Sequence, residues 1–247
     1  FFENNTVTDE FRSQITEISD IERLISKISN LNSEPRDVIA LSKSIKTLIH
    51  STKFLSQQNI SNNIKGLIDE LPDISDVSKL IEKTFNIDYS GKLGDGDLIK
   101  KGVSKKLDEY LYSLKNSKQI LTELEQRERV KTKIKNLKIR FNKIFGYYFE
   151  VTKSQIENVP DYFIRKQTLV NAERFFTEEL KELETKITLS VDLVSELERE
   201  IYTEVNEFII SKSYLVLKSS EIMSKLDVFS NFATISKQNS YIKPIIN

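Results

Sequence analysis

Between residues 131 and 176 the chain carries ten lysines and arginines against four acids, a local net charge of +6. The whole chain has 37 basic and 37 acidic residues, so the remainder carries 27 against 33, a net −6. A neutral average hides one basic segment on an acidic body, and that asymmetry points to a polyanionic partner. Lysines and arginines spread over a small surface can pair with phosphates. Aromatics are interleaved with them: Phe141, Phe145, Tyr147, Tyr148, Phe149, Tyr162, Phe163, Phe175 and Phe176. A module of ~40 residues needs large side chains to make any core, so the rings read best as that core. The bases exceed what solubility requires, which favours phosphate as their target.

Catalytic chemistry is hard to build from the rest. The chain has no Cys, hence no disulfide framework, thiol nucleophile or zinc knuckle, which fits a reducing, cytoplasmic setting. The single His50 precedes Ser51-Thr52 and has no second His or nucleophile elbow nearby, so it reads as a structural or surface residue. The glutamates of 178–207 resemble a di-iron carboxylate set in number only, because such sites also need Glu-x-x-His pairs. Gly91-Lys92-Leu93-Gly94-Asp95-Gly96-Asp97 is too irregular to cradle phosphate and lacks a following Gly-Lys-Ser/Thr, so it reads as a turn or small hairpin. No apolar run approaches the ~20 residues that span a bilayer, so no membrane partner is expected. The expectation is a binding or structural element, not an enzyme, with no cofactor and no metal site of its own.

The elements that must position the basic segment are helices. Charged residues are 30% of the chain while Gly and Pro number 6 and 4, a mixture that favours long solvated helices. Residues 8–32 predict a helix or helix pair, with Ser19 and Glu22 in capping-box spacing before Ile21, Leu24, Ile25 and Ile28. Pro35 fits the first turn of the next helix, which carries Val38, Leu41, Ile45 and Leu48. A short helix lies between turns at 59–63 and 71–73, and Ser75 or Asp76 caps another over 77–85. From Val103 to about Lys135 there is no Gly or Pro; Val103, Leu107, Leu111, Leu114, Leu121, Leu124 and Val130 form a mostly helical stripe. At ~1.5 Å per residue that helix is roughly 45 Å long.

Periodicity then shortens. Leu137, Ile139 and Phe141 alternate with Lys138, Arg140 and Asn142, turn residues follow to Gly146, and Tyr147, Phe149 and Val151 continue as a second strand. Pro160-Asp161 is a turn and 167–176 holds a further strand. Thr177 caps a helix whose apolar residues, Leu180 to Phe208, repeat at near-heptad spacing. Its expected partner is the helix before the insert, running antiparallel, and a separate helix over about 212–238 packs back on the body. The fold class is mainly α: long antiparallel lever helices and a helical core with a small inserted α+β subdomain. The segments are 1–125, the insert 126–177, and 178–247. The chain starts at Phe1 without an initiator Met and reads as a piece of a longer protein.

The insert resembles one family, the DNA mismatch-repair MutS proteins, at the region called the clamp. The family pattern Leu-Lys-x-x-Phe/Tyr-Asn-x-x-x-Gly-Tyr-Tyr stands here as Leu137-Lys138, Phe141-Asn142 and Gly146-Tyr147-Tyr148. A second block stands as Gln167-Thr168-Leu169, Asn171-Ala172-Glu173-Arg174-Phe175, leading into Glu179-Leu180-Lys181-Glu182. Asp20-Ile21-Glu22-Arg23, Pro35-Arg36-Asp37, Gly102 and Leu107-Asp108-Glu109 are similar to blocks of the core and lever. The resemblance implies a clamp that holds double-stranded DNA by its backbone without reading sequence, and levers that relay movement from an ATPase. It implies a dimer for the full-length protein, with ATP and Mg bound by a C-terminal domain and mismatch recognition by a Phe-x-Glu motif on an N-terminal one. Neither motif stands in this chain in its family context.

The position before Asn171 often carries Lys in the family and is Val170 here. The backbone-binding candidates that the resemblance implies are Asn142, Lys143, Lys153, Ser154, Arg165, Lys166, Asn171 and Arg174. For Arg174 an internal bond is the alternative. A second reading of the whole chain is a structural coiled-coil arm in which the insert is a protein–protein hinge, which requires an exposed apolar edge on the insert.

Overall fold

Side-chain caps close the N-termini of several helices, Asn4, Asp20, Ser104 and Thr177 among them. The computed structural model describes residues 1–242, so the last five residues of the segment 178–247 lie outside the described residues. Helices α1 (Asn5–Ile15), α2 (Ile21–Ser29), α3 (Pro35–Ser56), α4 (Asn62–Asp69) and α5 (Ser75–Thr84) precede a long α6 (Lys105–Thr132). The cap of α2 is Asp20 and not Ser19: the Arg23 N–H donates to Asp20 Oδ1 at 2.9 Å, while the Ser19 N–H donates to Ser44 Oγ at 3.0 Å. Pro35 opens α3 as expected, where its missing N–H costs nothing. Asp73, rather than Ser75 or Asp76, meets the first N–H of α5, at 2.9 Å.

The molecule divides into two compact units, one made of Phe1–Val103 and Glu198–Asn247, the other of Ser104–Leu197. In the first, Phe11, Ile28, Leu41, Ile45, Ile209 and Val216 are fully buried. Its glycine loop is held by one carboxylate. Glu198, fully buried, accepts from Gly94 N at 2.6 Å and Gly96 N at 3.1 Å on Oε2, and from Leu98 N at 2.9 Å on Oε1. Gly94 and Gly96 have φ of 100° and 89°, the conformations that turn their N–H groups to one point. The loop's donors therefore serve an internal anion. Beside it, burial together with Asp95 and Glu198 pushes the Tyr89 phenol up to about 12.

The second unit joins α6, the strands β1 (Lys138–Asn142), β2 (Gly146–Thr152), β3 (Ile164–Thr168) and β4 (Ala172–Phe176), and the start of α7 (Glu178–Gln238). Three expectations need correction. The stretch 164–176 forms a hairpin of two strands where one was expected, and a 3-10 helix, Lys153–Asn158, follows β2. Helix α7 runs unbroken to Gln238, so there is no separate helix over 212–238; nothing from 178 to 238 is Gly or Pro, and the Ser211 hydroxyl is absorbed by the Phe208 carbonyl at 2.6 Å. Val130 (79% exposed) and Val103 (39%) fall off the α6 stripe, whereas Leu107, Leu121 and Leu124 are buried.

Candidate nucleic-acid interface

The basic segment folds as a four-stranded antiparallel sheet in the order β1-β2-β4-β3. Registers Ile139↔Phe149 and Phe149↔Phe175 put these three side chains on one face, since strand side chains alternate. That face closes on Leu121 and Leu124 of α6 and Leu180, Leu183 and Ile187 of α7. Phe163 stacks on Phe149 at 4.8 Å between ring centres and meets Phe175 at 6.2 Å. Burying three such rings at about 25 cal/mol per Å2 is a large share of what so small a module can gain. The aromatics Phe149, Phe163 and Phe175 are thus core, as expected, whereas Phe141 (57% exposed) and Tyr162 (41%), read with them as core, are exposed.

Helix α6 also fastens the sheet's edge. Ile139 N donates to Glu125 Oε2 at 2.8 Å, and Arg129 donates to the Leu137 carbonyl from Nε at 3.3 Å and Nη2 at 3.2 Å. Arg129 also pairs with Glu125. Two backbone groups at the start of this edge strand are thereby paired without a fifth strand. One turn along, buried Glu128 accepts from the Tyr162 hydroxyl at 2.6 Å, and Lys131 lies 4.2 Å from the centre of that ring. Burial, then Glu128, raises the Tyr162 phenol above its ordinary value. The i,i+4 spacing of Glu125 and Arg129 is legible in the sequence; that both reach the β1 backbone is not.

The eight candidates fall into three groups. Lys153, Ser154 and Asn171 come together at one end of the sheet, where Lys153 N donates to the Asn171 carbonyl at 3.2 Å. All three are exposed. The Ser154 and Thr152 hydroxyls are 3.2 Å apart, while the Lys153 ammonium and Asn171 amide have no protein partner among the described residues. Val170 beside them is 84% exposed. Asn142 and Lys143 sit at the opposite end, in the β1–β2 turn, roughly 20 Å away at ~3.3 Å per residue along β2. Lys143 is exposed, but Asn142 spends its carbonyl on the turn, accepting from Ile144 N at 2.8 Å and Phe145 N at 3.3 Å.

The third group is engaged inside the module. Arg165 Nε lies 2.8 Å from Oε2 of buried Glu173, an ion pair without an aligned hydrogen bond, and its guanidinium is 6.0 Å from the Phe175 ring centre. Lys166 donates to the Phe145 carbonyl and lies 5.4 Å from the Phe176 ring centre. Arg174 donates to Gln167 Oε1 at 2.7 Å and covers the ring of buried Tyr148 at 4.4 Å. These contacts supply the internal alternative for Arg174 and extend it to Arg165 and Lys166.

Elsewhere, His50 is exposed on α3. Among the described residues no group of three or more His, Asp or Glu side chains is placed to hold a metal ion, and no helix is long and apolar enough to cross a membrane.

A family model described as MutS family domain IV matches residues 102–191, the sheet with the helices on either side of it. DNA mismatch repair protein MutS of Fervidobacterium nodosum is 39% identical over 247 residues, covering 100% of this chain and 30% of that protein. The protein of the same name from Thermotoga petrophila is 38% identical over 239 residues, 97% of this chain and 29% of that protein. That of Clostridium perfringens is 38% identical over 247 residues, 100% and 27%. The chain spans about 30% of the length of the curated relatives it matches. With relatives of one name aligned along all or nearly all of its length, and the family model matching its sheet-bearing part, the chain belongs to the MutS family.

Proposed function

We propose that the sheet module, 126–177, is a clamp that holds duplex DNA by its phosphates without reading sequence. The helical segments 1–125 and 178–247 act as its lever and core, coupling the clamp to an ATPase in a part of the protein outside this chain. ATP, Mg and a second copy of the protein belong to that longer cytoplasmic assembly, and this chain's own contribution is grip and transmission. The observation that carries the reading is the end of the sheet where Lys153, Ser154 and Asn171 meet, all three exposed, with the Lys153 ammonium and the Asn171 amide unspent on internal contacts among the described residues. Ammonium, hydroxyl and amide groups there are donors of the kind that position a protein on phosphates while leaving the base edges alone. The relatives' name, DNA mismatch repair protein, supports DNA as the polyanion.

The test is fluorescence anisotropy of labelled duplex DNA, matched and mismatched, across a salt series. Equal affinity for the two duplexes is expected, with Kd on the order of 10⁻⁴–10⁻⁶ M at physiological salt and a salt slope of about −0.9 per phosphate contacted. Lys153→Ala combined with Asn171→Ala should weaken both duplexes equally. No binding even at low salt overturns the reading. A hinge for a protein partner has one observation in its favour: Ile144 (84% exposed) and Phe141 (57%) crown the β1–β2 turn. Self-association in sedimentation that Ile144→Ser abolishes would support that alternative.

A further inference from the structure

We infer that Lys135 and Lys138, on the connection from α6 into edge strand β1, extend the phosphate-binding surface around the end of the sheet already carrying Lys153 and Asn171. This inference rests on the proposed clamp reading and assigns it two further residues.

The register fixes their place. Lys138 lies opposite Glu150 in the β1–β2 pairing, so the start of β1 lies beside the end of β2, and Lys153 follows Glu150 by three residues. Lys135 precedes Lys138 by three residues and leaves the sheet at that same end. Both lysines are exposed, and among the described residues neither ammonium has a partner. Lys138 shares the outward face with Arg140, Glu150 and Arg174, because these positions alternate with the core-facing Ile139, Phe149 and Phe175. The one carboxylate of that set, Glu150, is already engaged by Arg140 Nε at 3.3 Å, and Arg174 is spent on Gln167 and Tyr148. Lys138 is therefore left unneutralised.

Neighbouring cations have other work, which these two do not share. Arg129 holds the Leu137 carbonyl, Lys131 covers the Tyr162 ring, and Lys133 forms the left-handed end of α6 with φ 59°. Cations at a helix C-terminus also offset its partial negative charge. Lys135 and Lys138 lie past that terminus, where neither duty reaches them. Two free ammonium groups at the same end of the sheet as Lys153 add positive charge that the phosphates of a duplex strand can pair with.

The experiment uses the full chain and one labelled duplex DNA. It compares wild type, Lys135→Gln with Lys138→Gln, and Lys153→Ala with Asn171→Ala, each with a thermal melt. The expected result for the Lys135/Lys138 pair is an unchanged melt and a log Kd against log salt slope smaller by about 1.8, or about 0.9 for each lysine. If the Lys153/Asn171 pair loses affinity while the Lys135/Lys138 pair matches wild type in slope and affinity, this inference fails and the clamp reading stands. If wild type does not bind the duplex at low salt, both fail together.

Discussion

Arg165, Lys166 and Arg174 show what a surplus cation does when a small module must also fold. Each sits on or beside the sheet, and each finds an anion, a carbonyl or a ring within it: Glu173, Phe145 and the face of Tyr148. A cation over a ring contributes about 0.5–2 kcal/mol depending on its desolvation, and Arg174 over buried Tyr148 has the better-shielded geometry. Asp37 makes a comparable point in the helical unit. Burial favours its neutral form, but the Glu34 N–H bond at 3.0 Å and Lys27 at 2.8 Å outweigh burial and hold the carboxyl below its ordinary 3.8. A depressed carboxyl binds fewer protons folded than unfolded, so its contribution is present above the unfolded value and is lost as pH falls through the folded one. Asp37→Asn is therefore expected to be less stable than wild type at pH 7, with the gap in urea-unfolding free energy closing below about pH 4. A gap that stays constant from pH 7 to pH 3 would remove ionisation from the account. The basic character of the module was legible as a sum of charges. Which cations remain free was not, because that depends on the Glu150↔Arg174 and Arg165↔Phe175 registers, which local periodicity does not specify.

At the scale of elements, Gly146 joins the β1–β2 turn to α7. Its φ is +69°, which side chains with a Cβ rarely adopt, and a Cβ built there would lie 1.6 Å from Glu184 Oε1. Gly146→Ala is expected to destabilise the module by about 1 kcal/mol or more, from backbone strain with the displacement of Glu184 added. Glu184→Ala in the Gly146→Ala background should recover only the steric part, so thermal melts should rank wild type, double variant, single variant. A double variant as stable as wild type would mean that φ carries no cost. The sequence announces this element well, because Asn142, Gly146 and the alternation around them are local signals. Helices α2, α3 and α6 were equally legible through their apolar spacing and the Pro at the head of α3. The 3-10 helix at Lys153–Asn158 and the split of 164–176 into two strands were not. Short segments carry little periodicity, and what holds these is the bond from Val159 N to the Ile156 carbonyl at 3.0 Å and the pairing of Leu169 N with the Ala172 carbonyl at 2.9 Å. The continuity of α7 was masked by its polar serines near 211, which a helix accommodates by returning the hydroxyl to its own backbone.

At the scale of the molecule, the decisive feature is that the core of the sheet-bearing unit is drawn wholly from its own residues. Leu121, Leu124, Phe149, Phe163, Phe175 and Leu183 all fall within 104–197, as do the Glu125–Arg129 and Glu128–Tyr162 contacts. A unit that supplies both its apolar core and the partners of its buried polar groups satisfies the requirements for folding alone, even at a size where a single core yields only a few kcal/mol. The segment 104–197 is therefore expected to fold by itself, with a cooperative urea transition. The candidate phosphate-binding residues lie in the same segment, so it should also retain the salt-dependent duplex affinity of the whole chain. Circular dichroism and anisotropy on that segment separate the outcomes. A non-cooperative melt would mean that the rest of the chain contributes to this core, and a folded segment without affinity would place the phosphate grip outside 104–197. Retention of both would make the module a self-contained grip, on which the long helices act only by carrying it.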